Sequence, residues 1–312
     1  MTSTSAPPAQ PRPKRRPGDR VFAGSATGAG VLILLVLAGV AAFLVSEAWP
    51  AVTAPATELP DGKSLASYVA PLVFGTLLAA VIALIVATPL AVAIALFITH
   101  YAPRRLAAGL GYAVDLLAAI PSVVYGFWGI AALAPALVPF YGWAEQHLGF
   151  IPLFAGPAST TGKTMLTAGL VLAVMILPII SAISREVFSQ VPALHQEAAL
   201  ALGATRWETI RMAVLPYGKS GIIGGAMLGL GRALGETLAV AIVLSVSNIV
   251  TFNLISPTNP STIAANIALN FPESSGIQVN ALIASGLALF VITLAVNMLA
   301  RYIVGRRAAF TE

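Results

Sequence analysis

The sequence predicts an all-α, polytopic membrane protein with six transmembrane helices. Of its 312 residues, 58% are hydrophobic and only 9% are charged, whereas a soluble domain carries about 25% charged residues. The hydrophobic residues come in blocks long enough to cross a hydrocarbon core of roughly 30 Å, which takes about 20 helical residues. A β-barrel would show short alternating segments instead. The chain has no cysteine, which excludes disulfides, thiolate catalysis and cysteine-based metal sites.

Six apolar blocks are bounded by charged segments or by segments rich in proline and glycine. We expect transmembrane helices at about residues 28–45, 71–99, 112–138, 165–183, 221–246 and 281–304. The first block could be a secretory signal, but its length of about 18 residues exceeds the usual apolar core of about 7 to 15. We therefore interpret it as a retained helix. Residues 1–20 have a composition that cannot build a core, which predicts a disordered tail before a transmembrane domain of residues 21–312.

Three prolines lie inside the predicted spans, at Pro89, Pro121 and Pro178. Each removes a backbone hydrogen bond and is expected to bend its helix. Two long segments between spans, residues 47–70 and 139–164, contain Trp, Tyr and several prolines. This mixture is typical of short interfacial helices and turns at the level of the lipid headgroups.

The distribution of basic residues predicts the orientation. Fourteen of the 17 Lys and Arg residues lie in the tail, after the second and fourth spans, and at the C-terminal end. Positively charged segments are retained in the cytoplasm, so both termini are expected to be cytoplasmic. The same distribution accounts for the net charge of +5 without a nucleic-acid partner.

One short segment resembles a phosphate-binding loop without its spacing. Residues 156–164 read GPASTTGKT, with five residues between the glycines where that loop has four. The segment follows no predicted strand and is expected on the external side. We do not interpret it as an ATP site.

Residues 185–220 form the longest polar stretch after the tail. A first short helix is expected to open near Pro192 and to end at Gly203. A second is expected to start at Thr205 as its cap, with Glu208 in its first turn, and to stop before Pro216. Several apolar side chains of the pair would be partly uncovered unless a partner docks there: Ala199, Leu202, Trp207 and Ile210. The alternative is an amphipathic helix pair lying on the membrane surface.

This stretch resembles the EAA loop of ABC importer permeases. The matching residues, in order, are Glu197, Ala198, Ala199, Gly203, Leu215 and Pro216. The resemblance implies that residues 185–220 form a coupling loop that seats in a groove of a cytoplasmic ATPase on a separate chain. Closure of two such ATPases would switch the bundle between inward-open and outward-open states.

The fifth predicted span carries Arg232 and Glu236 within the sequence GRALGET. On one continuous helix they would share a face, at depths of roughly 16 and 22 Å. Placing an arginine there costs about 2.5 to 3.5 kcal/mol on insertion scales, so we expect the pair to face protein or a water-filled path. Glycines spaced by four, such as Gly225 and Gly229, would let a neighbouring helix approach closely.

Two interpretations of the charged pair stay open. The first is a buried ion pair that fixes helix register, although such a pair is weak evidence of stability. The second is a substrate path, which intramembrane charge often marks. Arginine suits an anion such as phosphate because its planar guanidinium binds two oxygens at once. Glu236 would balance that charge in an empty path and accept the proton of a protonated phosphate in an occupied one.

The charged segment and two others carry a narrower resemblance to the phosphate ABC transporter permeases of the PstC type. The other two are residues 87–103, ATPLAVAIALFITHYAP, and residues 118–129, AAIPSVVYGFWG. Residues 18–22, GDRVF, and the long segment after the first span fit this type better than the sister PstA type. The resemblance covers residues 18–305 and implies the type I ABC importer permease fold, with Arg232 and Glu236 on the substrate path.

The resemblance also implies partners and excludes catalysis by this chain. A PstA-type sister permease, two copies of a PstB-type ATPase and an extracytoplasmic PstS-type phosphate-binding protein are expected, with no cofactor. The residues alone leave open a permease for another oxyanion, such as sulfate or molybdate, and an ATP-independent channel or secondary transporter. An enzyme is disfavoured because His100, His147 and His195 lie in different segments.

Overall fold

The computed structural model describes residues 17–308, and within them it contains α-helices, short 3-10 and π-helical turns, and no strand. The α-helices are α1 (Pro17–Thr53), α2 (Leu65–Leu96), α3 (Arg104–Ala118), α4 (Ser122–Trp128), α5 (Ala134–Leu148), α6 (Met165–Ser189), α7 (Ala193–Ala201), α8 (Arg206–Thr209), α9 (Leu215–Leu234), α10 (Leu238–Val243), α11 (Ile263–Asn270) and α12 (Ile277–Ala308). The predicted all-α class is therefore confirmed. Of the tail predicted at residues 1–20, the first 16 lie outside the described residues, and α1 begins at Pro17.

Three π-helical turns interrupt the helices at Phe97–Tyr101, Gly129–Leu133 and Ile210–Val214. With two of these turns included, five stretches of the described chain are long and apolar enough to cross a membrane: Val21–Thr53, Leu65–Tyr101, Ser122–Leu148, Met165–Ser189 and Ile277–Leu299. They confirm a polytopic membrane protein. The span predicted at residues 221–246 does not appear among them, because the helix breaks within it.

The third span lies later in the chain than predicted. Its predicted range, residues 112–138, is divided between α3 and the stretch Ser122–Leu148. Pro121 caps α4 rather than bending a helix interior, because proline disfavours helical backbone in the residue before it. The interfacial segment predicted from residue 139 consequently begins only after Leu148.

The chain divides into two compact units, Met1–Glu47 and Ala48–Glu312. In the first unit, the described residues form most of α1, whose apolar side chains are largely exposed. Such a surface needs lipid or another helix to cover it. In the second unit, the end of α1 packs through Ala48 and Ala51 with Tyr68 and Leu72 of α2.

The core of the second unit is built around α6. Along α2, five alanines spaced by four residues are completely or almost completely buried: Ala79, Ala83, Ala87, Ala91 and Ala95. On the other side, glycines of α9 lie against α6, where a Cβ on Gly225 would be 3.3 Å from Ile183 and one on Gly229 would be 3.1 Å from Ile180. Small side chains let helices approach closely in a membrane, so α6 is held between an alanine stripe and a glycine stripe.

Residues 156–164 form part of the packing around the start of α6. The hydroxyl of Thr164 caps this helix by accepting a hydrogen bond from the Thr167 N–H at 3.1 Å. The buried Tyr141 hydroxyl lies 2.6 Å from that of Thr167. The glycines and hydroxyls of GPASTTGKT thus have structural roles in a turn and a helix cap.

Candidate functional site

The helix that carries the charged sequence GRALGET is broken in the middle of that sequence. Helix α9 ends at Leu234, and α10 begins at Leu238. Arg232 therefore lies in the last turn of α9, whereas Glu236 lies in the break. The prediction of one continuous helix over residues 221–246 is wrong, and so is the expectation that the two charges share a helical face. In the described chain they form no ion pair with each other.

Each charge instead lies at a helix end whose dipole has the opposite sign to that charge. Arg232 is in the C-terminal turn of α9, where the helix dipole favours a cation. The buried Glu236, 7% exposed, lies just before α10, and its Oε1 accepts a hydrogen bond from the Ala239 N–H at 3.2 Å. A carboxylate is favoured at this end of a helix. Two helix ends, rather than mutual pairing, stabilise the charges.

A tyrosine lies near Arg232. Tyr125 of α4 is buried, and its hydroxyl donates to the Leu117 carbonyl at 2.8 Å. The charge of Arg232 is close enough to act on this hydroxyl. The sequence gives no signal for this proximity, because residues 107 positions apart become neighbours only through packing.

The close packing of α4 on α10 brings Tyr125 to the broken helix. A Cβ on Gly126 would lie 2.9 Å from the Ala239 Cα, so only a glycine fits there without displacement. The half-buried Arg232 thus has a buried tyrosine and two helix ends around it. Discontinuous helices of this kind offer backbone polar groups and a fixed charge for binding an ion within a membrane protein.

The second predicted site, the EAA-like stretch, is a helix pair with a defined corner. Helix α7 ends in a Schellman motif, in which the Gly203 N–H bonds the Leu200 carbonyl and the Ala204 N–H bonds the Ala199 carbonyl. Gly203 has φ +87°, a conformation that favours glycine. The predicted corner at Gly203 is confirmed.

The start of the second helix is also confirmed. Thr205 and Glu208 form a capping box, in which each side chain accepts a hydrogen bond from the other residue's N–H. Hydrogen bonds from the backbone and hydroxyl of Thr205 lower the pKa of Glu208 below its ordinary value. The box is therefore complete above that ordinary pKa and is lost as the pH falls through the lowered one.

The end predicted for this helix, before Pro216, is wrong. The π-helical turn Ile210–Val214 follows α8, and the Leu215 N–H bonds the Ile210 carbonyl five residues back. Proline lacks an N–H and clashes with the carbonyl four residues earlier. The wider π turn relieves this conflict by adding one residue to the turn, so the helical run continues from residue 206 to residue 234.

Most predicted coupling residues lie on the surface. Glu197, Ala198, Gly203 and Pro216 are exposed, while Ala199 and Leu215 are half-buried. Of the apolar side chains expected to be partly uncovered, Leu202 is 90% exposed and Trp207 is 56% exposed. Ile210 is buried in a cluster with Leu96 and Phe188, so that expectation is wrong for Ile210. The exposed face requires a partner or lipid.

Known proteins resemble this chain over most of its length. Residues 87–308 match the family model described as "Binding-protein-dependent transport system inner membrane component". The chain is 47% identical over 306 residues to a Mycobacterium tuberculosis protein named "Phosphate transport system permease protein PstC 2", covering 94% of each chain. It is 39% identical to the Mesorhizobium japonicum protein named "Phosphate transport system permease protein PstC", covering 94% of this chain and 92% of that one.

Solved structures of two ABC transporters share the fold. The inward-facing MetNI methionine transporter matches with a TM-score of 0.52 at 16% identity, covering 78% of this chain and 95% of that chain. A bacterial ABC transporter involved in alginate import matches with the same TM-score and identity, covering 92% of this chain and 99% of that chain. At this identity the likeness concerns the fold alone.

Proposed function

The chain belongs to the family of binding-protein-dependent transport system inner membrane components, and from this premise we propose that it is the PstC-type permease subunit of an ATP-driven importer of inorganic phosphate. The observation that carries the proposal is the identity of 39–47% to proteins named PstC over 94% of the chain. The subunit would form the translocation path by alternating access together with a PstA-type sister permease. It would catalyse no reaction itself and need no cofactor.

The helical run of residues 206–234 supports a mechanical role for the coupling loop. It begins at the corner formed by Gly203 and ends two residues beyond Arg232. At 1.5 Å per residue, its length is about 43 Å. A push on α7 by a PstB-type ATPase pair would thus reach the charged break through one helical run that packs along α6.

The broken helix would bind phosphate transiently. Arg232 offers two parallel hydrogen bonds to phosphate oxygens, and the Tyr125 hydroxyl lies within range of the same charge. Glu236 would balance the arginine when the path is empty and accept the proton of a protonated phosphate when it is occupied. Because the Glu236 carboxylate also caps α10, binding could shift the N-terminal end of α10 relative to α9.

The remaining assignments follow from the same premise. One of the two ATPase copies would bind the coupling residues of this chain, Glu197, Ala198, Ala199 and Gly203, and a PstS-type protein would deliver phosphate from the other side. Both termini would be cytoplasmic in the inner membrane of a bacterium, as the distribution of Lys and Arg predicts.

A reconstituted complex tests the proposed function. We expect phosphate, delivered by the binding protein, to stimulate ATP hydrolysis, whereas sulfate or molybdate does not. Stimulation by sulfate or molybdate instead would assign a different oxyanion. Full phosphate uptake without an ATPase would support a channel or secondary transporter and contradict the proposal.

Substitution of Arg232 tests its place on the path. We expect Arg232→Gln to abolish phosphate uptake while the complex still assembles, because the anion loses its fixed charge. Arg232→Lys is the matched control, since it keeps the charge without the bidentate geometry and should retain partial uptake. Loss of the complex, with normal transport by the molecules that survive, would show that Arg232 is structural.

A further inference from the structure

An apolar groove lies between the end of α2 and the coupling segment. Its volume is about 590 Å³, and its lining is almost entirely apolar. From the α2 side it includes Val92, Leu96 and Phe97, and from the other side Trp207 and Leu215. Phe97 and Trp207 are exposed, so the groove is open to whatever surrounds the bundle.

The ring of Tyr101 also lines a second, smaller pocket next to the groove. This pocket has a volume of about 140 Å³ and combines polar side chains with apolar ones: His100, Gln196, Arg206 and Thr209 lie beside Leu200 and Ile210. His100 Nδ1 lies 2.7 Å from the Thr99 hydroxyl.

The charged side chain in the linings of the two cavities is Arg206. Neither lining contains a carboxylate, and Arg206 forms no ion pair within the described part of the chain. The nearby Glu208 is turned to Thr205 in the capping box. Arg104 and Arg105, both exposed, begin α3 three and four residues after Tyr101. An anion in the pocket would meet Arg206 and no carboxylate of the lining.

We propose that the groove and pocket together bind one anionic phospholipid, with an acyl chain along Phe97 and Trp207 and the headgroup phosphate at Arg206. A long apolar groove next to a cationic side chain complements such a lipid. The acyl chain is stabilised by apolar surroundings, and the anionic headgroup by a positive charge. The groove is lined by the last turns of a membrane-spanning stretch, so the lipid can enter sideways from the bilayer.

The lipid would add a contact between two elements that already meet in the cluster around Ile210. One wall is the membrane-embedded end of α2, and the other is the segment between Gly203 and α9. A bound lipid would hold Trp207 and Arg206 against Phe97 and Tyr101. The lipid composition of the membrane would thereby affect how firmly the coupling segment is held.

Fluorescence of Trp207 tests the site directly. The chain has four tryptophans, so the variant Trp49→Phe, Trp128→Phe, Trp143→Phe retains only Trp207 in this chain. The assembled transporter carrying this variant is placed in phosphatidylcholine vesicles containing either brominated phosphatidylglycerol or brominated phosphatidylcholine at equal bromine content. The signal of the same complex with Trp207→Phe added is subtracted as the background from the other subunits. We expect the anionic lipid to quench Trp207 at least twofold more strongly, and excess soluble glycerol phosphate not to reverse the quenching.

Three variants identify the contacts, and none requires transport to be measured. Arg206→Gln should reduce quenching by brominated phosphatidylglycerol to the level of phosphatidylcholine, whereas Arg211→Gln, the same charge change at an exposed residue lining neither cavity, should not. Val92→Phe, which fills the groove, should reduce quenching by both lipids. If both lipids quenched Trp207 equally in the protein without these three substitutions, the proposal would be overturned. Trp207 would then contact the bilayer without selecting an anionic lipid.

If neither lipid quenched Trp207, the lipid proposal would be overturned in favour of a protein segment that covers the groove. Reversal by glycerol phosphate would overturn it in favour of a soluble anion. Quenching does not depend on the transported substrate. None of these results therefore decides whether the chain transports phosphate, which the ATP hydrolysis assay tests separately.

Discussion

Glu236 can act both as a helix cap and as a charge, and substitutions can separate these roles. Its Oε1 accepts the hydrogen bond that starts α10, and a glutamine keeps an oxygen at that position while removing the charge. We expect Glu236→Gln to keep the thermal stability of the complex near that of the unsubstituted protein and to change phosphate uptake. Glu236→Ala should also lose about 1 kcal/mol from the missing cap. Equal stability losses in thermal unfolding for both variants would contradict this separation.

The conformation of Gly203 makes it sensitive to substitution although nothing lies close to it. A Cβ at Gly203 would meet no atom within 4 Å, but φ is +87°. We expect Gly203→Ala to cost about 1–2 kcal/mol at the corner, because a Cβ is disfavoured in this region, and to weaken copurification of the ATPase. Gly203→Asn should be milder, since asparagine tolerates this conformation.

Gly109→Ala is the matched control for the corner, because Gly109 is helical and equally uncrowded. It should not change the yield of ATPase in the purified complex. If Gly203→Ala also left that yield unchanged, the corner would not be required for coupling.

At the scale of the elements, the glycine stripe on α9 separates packed from open positions. A Cβ on Gly225 would be 3.3 Å from Ile183 and 3.5 Å from the Ile180 Cα, whereas one on the adjacent Gly224 would meet nothing within 4 Å. We expect Gly225→Val to destabilise the packing of α9 on α6 by about 1–3 kcal/mol. Gly224→Val should have little effect on thermal unfolding of the complex. Equal destabilisation would show that another chain covers Gly224.

An ion pair connects α3 to the end of α6. Arg185 donates to Asp115 at 2.5 Å, and a Cβ on Gly111 would contact the same guanidinium. The Nε of Arg185 is buried without a partner within the described residues. The hydrogen bond to Asp115 is therefore the main interaction that stabilises the charge of Arg185. We expect Asp115→Asn to lower the melting temperature of the complex more than Glu273→Gln, which removes a carboxylate charge at an exposed position.

The elements show where sequence reasoning succeeded and where it could not. The corner at Gly203 and the cap at Thr205 were predictable because both depend on residues within one turn. The break after Leu234 was not, since GRALGET contains no proline and its break is stabilised by α4 packing on Ala239. The continuation through Pro216 was not predictable from the rule that a proline ends a helix, because the π turn before it accommodates the proline.

For the whole molecule, the number of crossings decides where the C-terminus lies. The described chain has five long apolar stretches, and an odd number would place the termini on opposite sides of the membrane. Helix α9 has 20 residues, about 30 Å of helix, but its glycines and charges lower its hydropathy. Only if α9 and α10 complete a sixth crossing are both termini cytoplasmic, as the distribution of basic residues predicts.

Single cysteines can count the crossings, because the chain contains none of its own. Lys63, before α2, and Ser275, before α12, lie on opposite sides of the α9–α10 segment in sequence, and both are exposed. With six crossings, we expect Lys63→Cys and Ser275→Cys to react with an impermeant maleimide in intact cells. Arg105→Cys and Arg211→Cys should react only after permeabilisation. If Ser275→Cys reacted only after permeabilisation while Lys63→Cys reacted in intact cells, α9 and α10 would not cross, and the charged break could not lie on a transmembrane path.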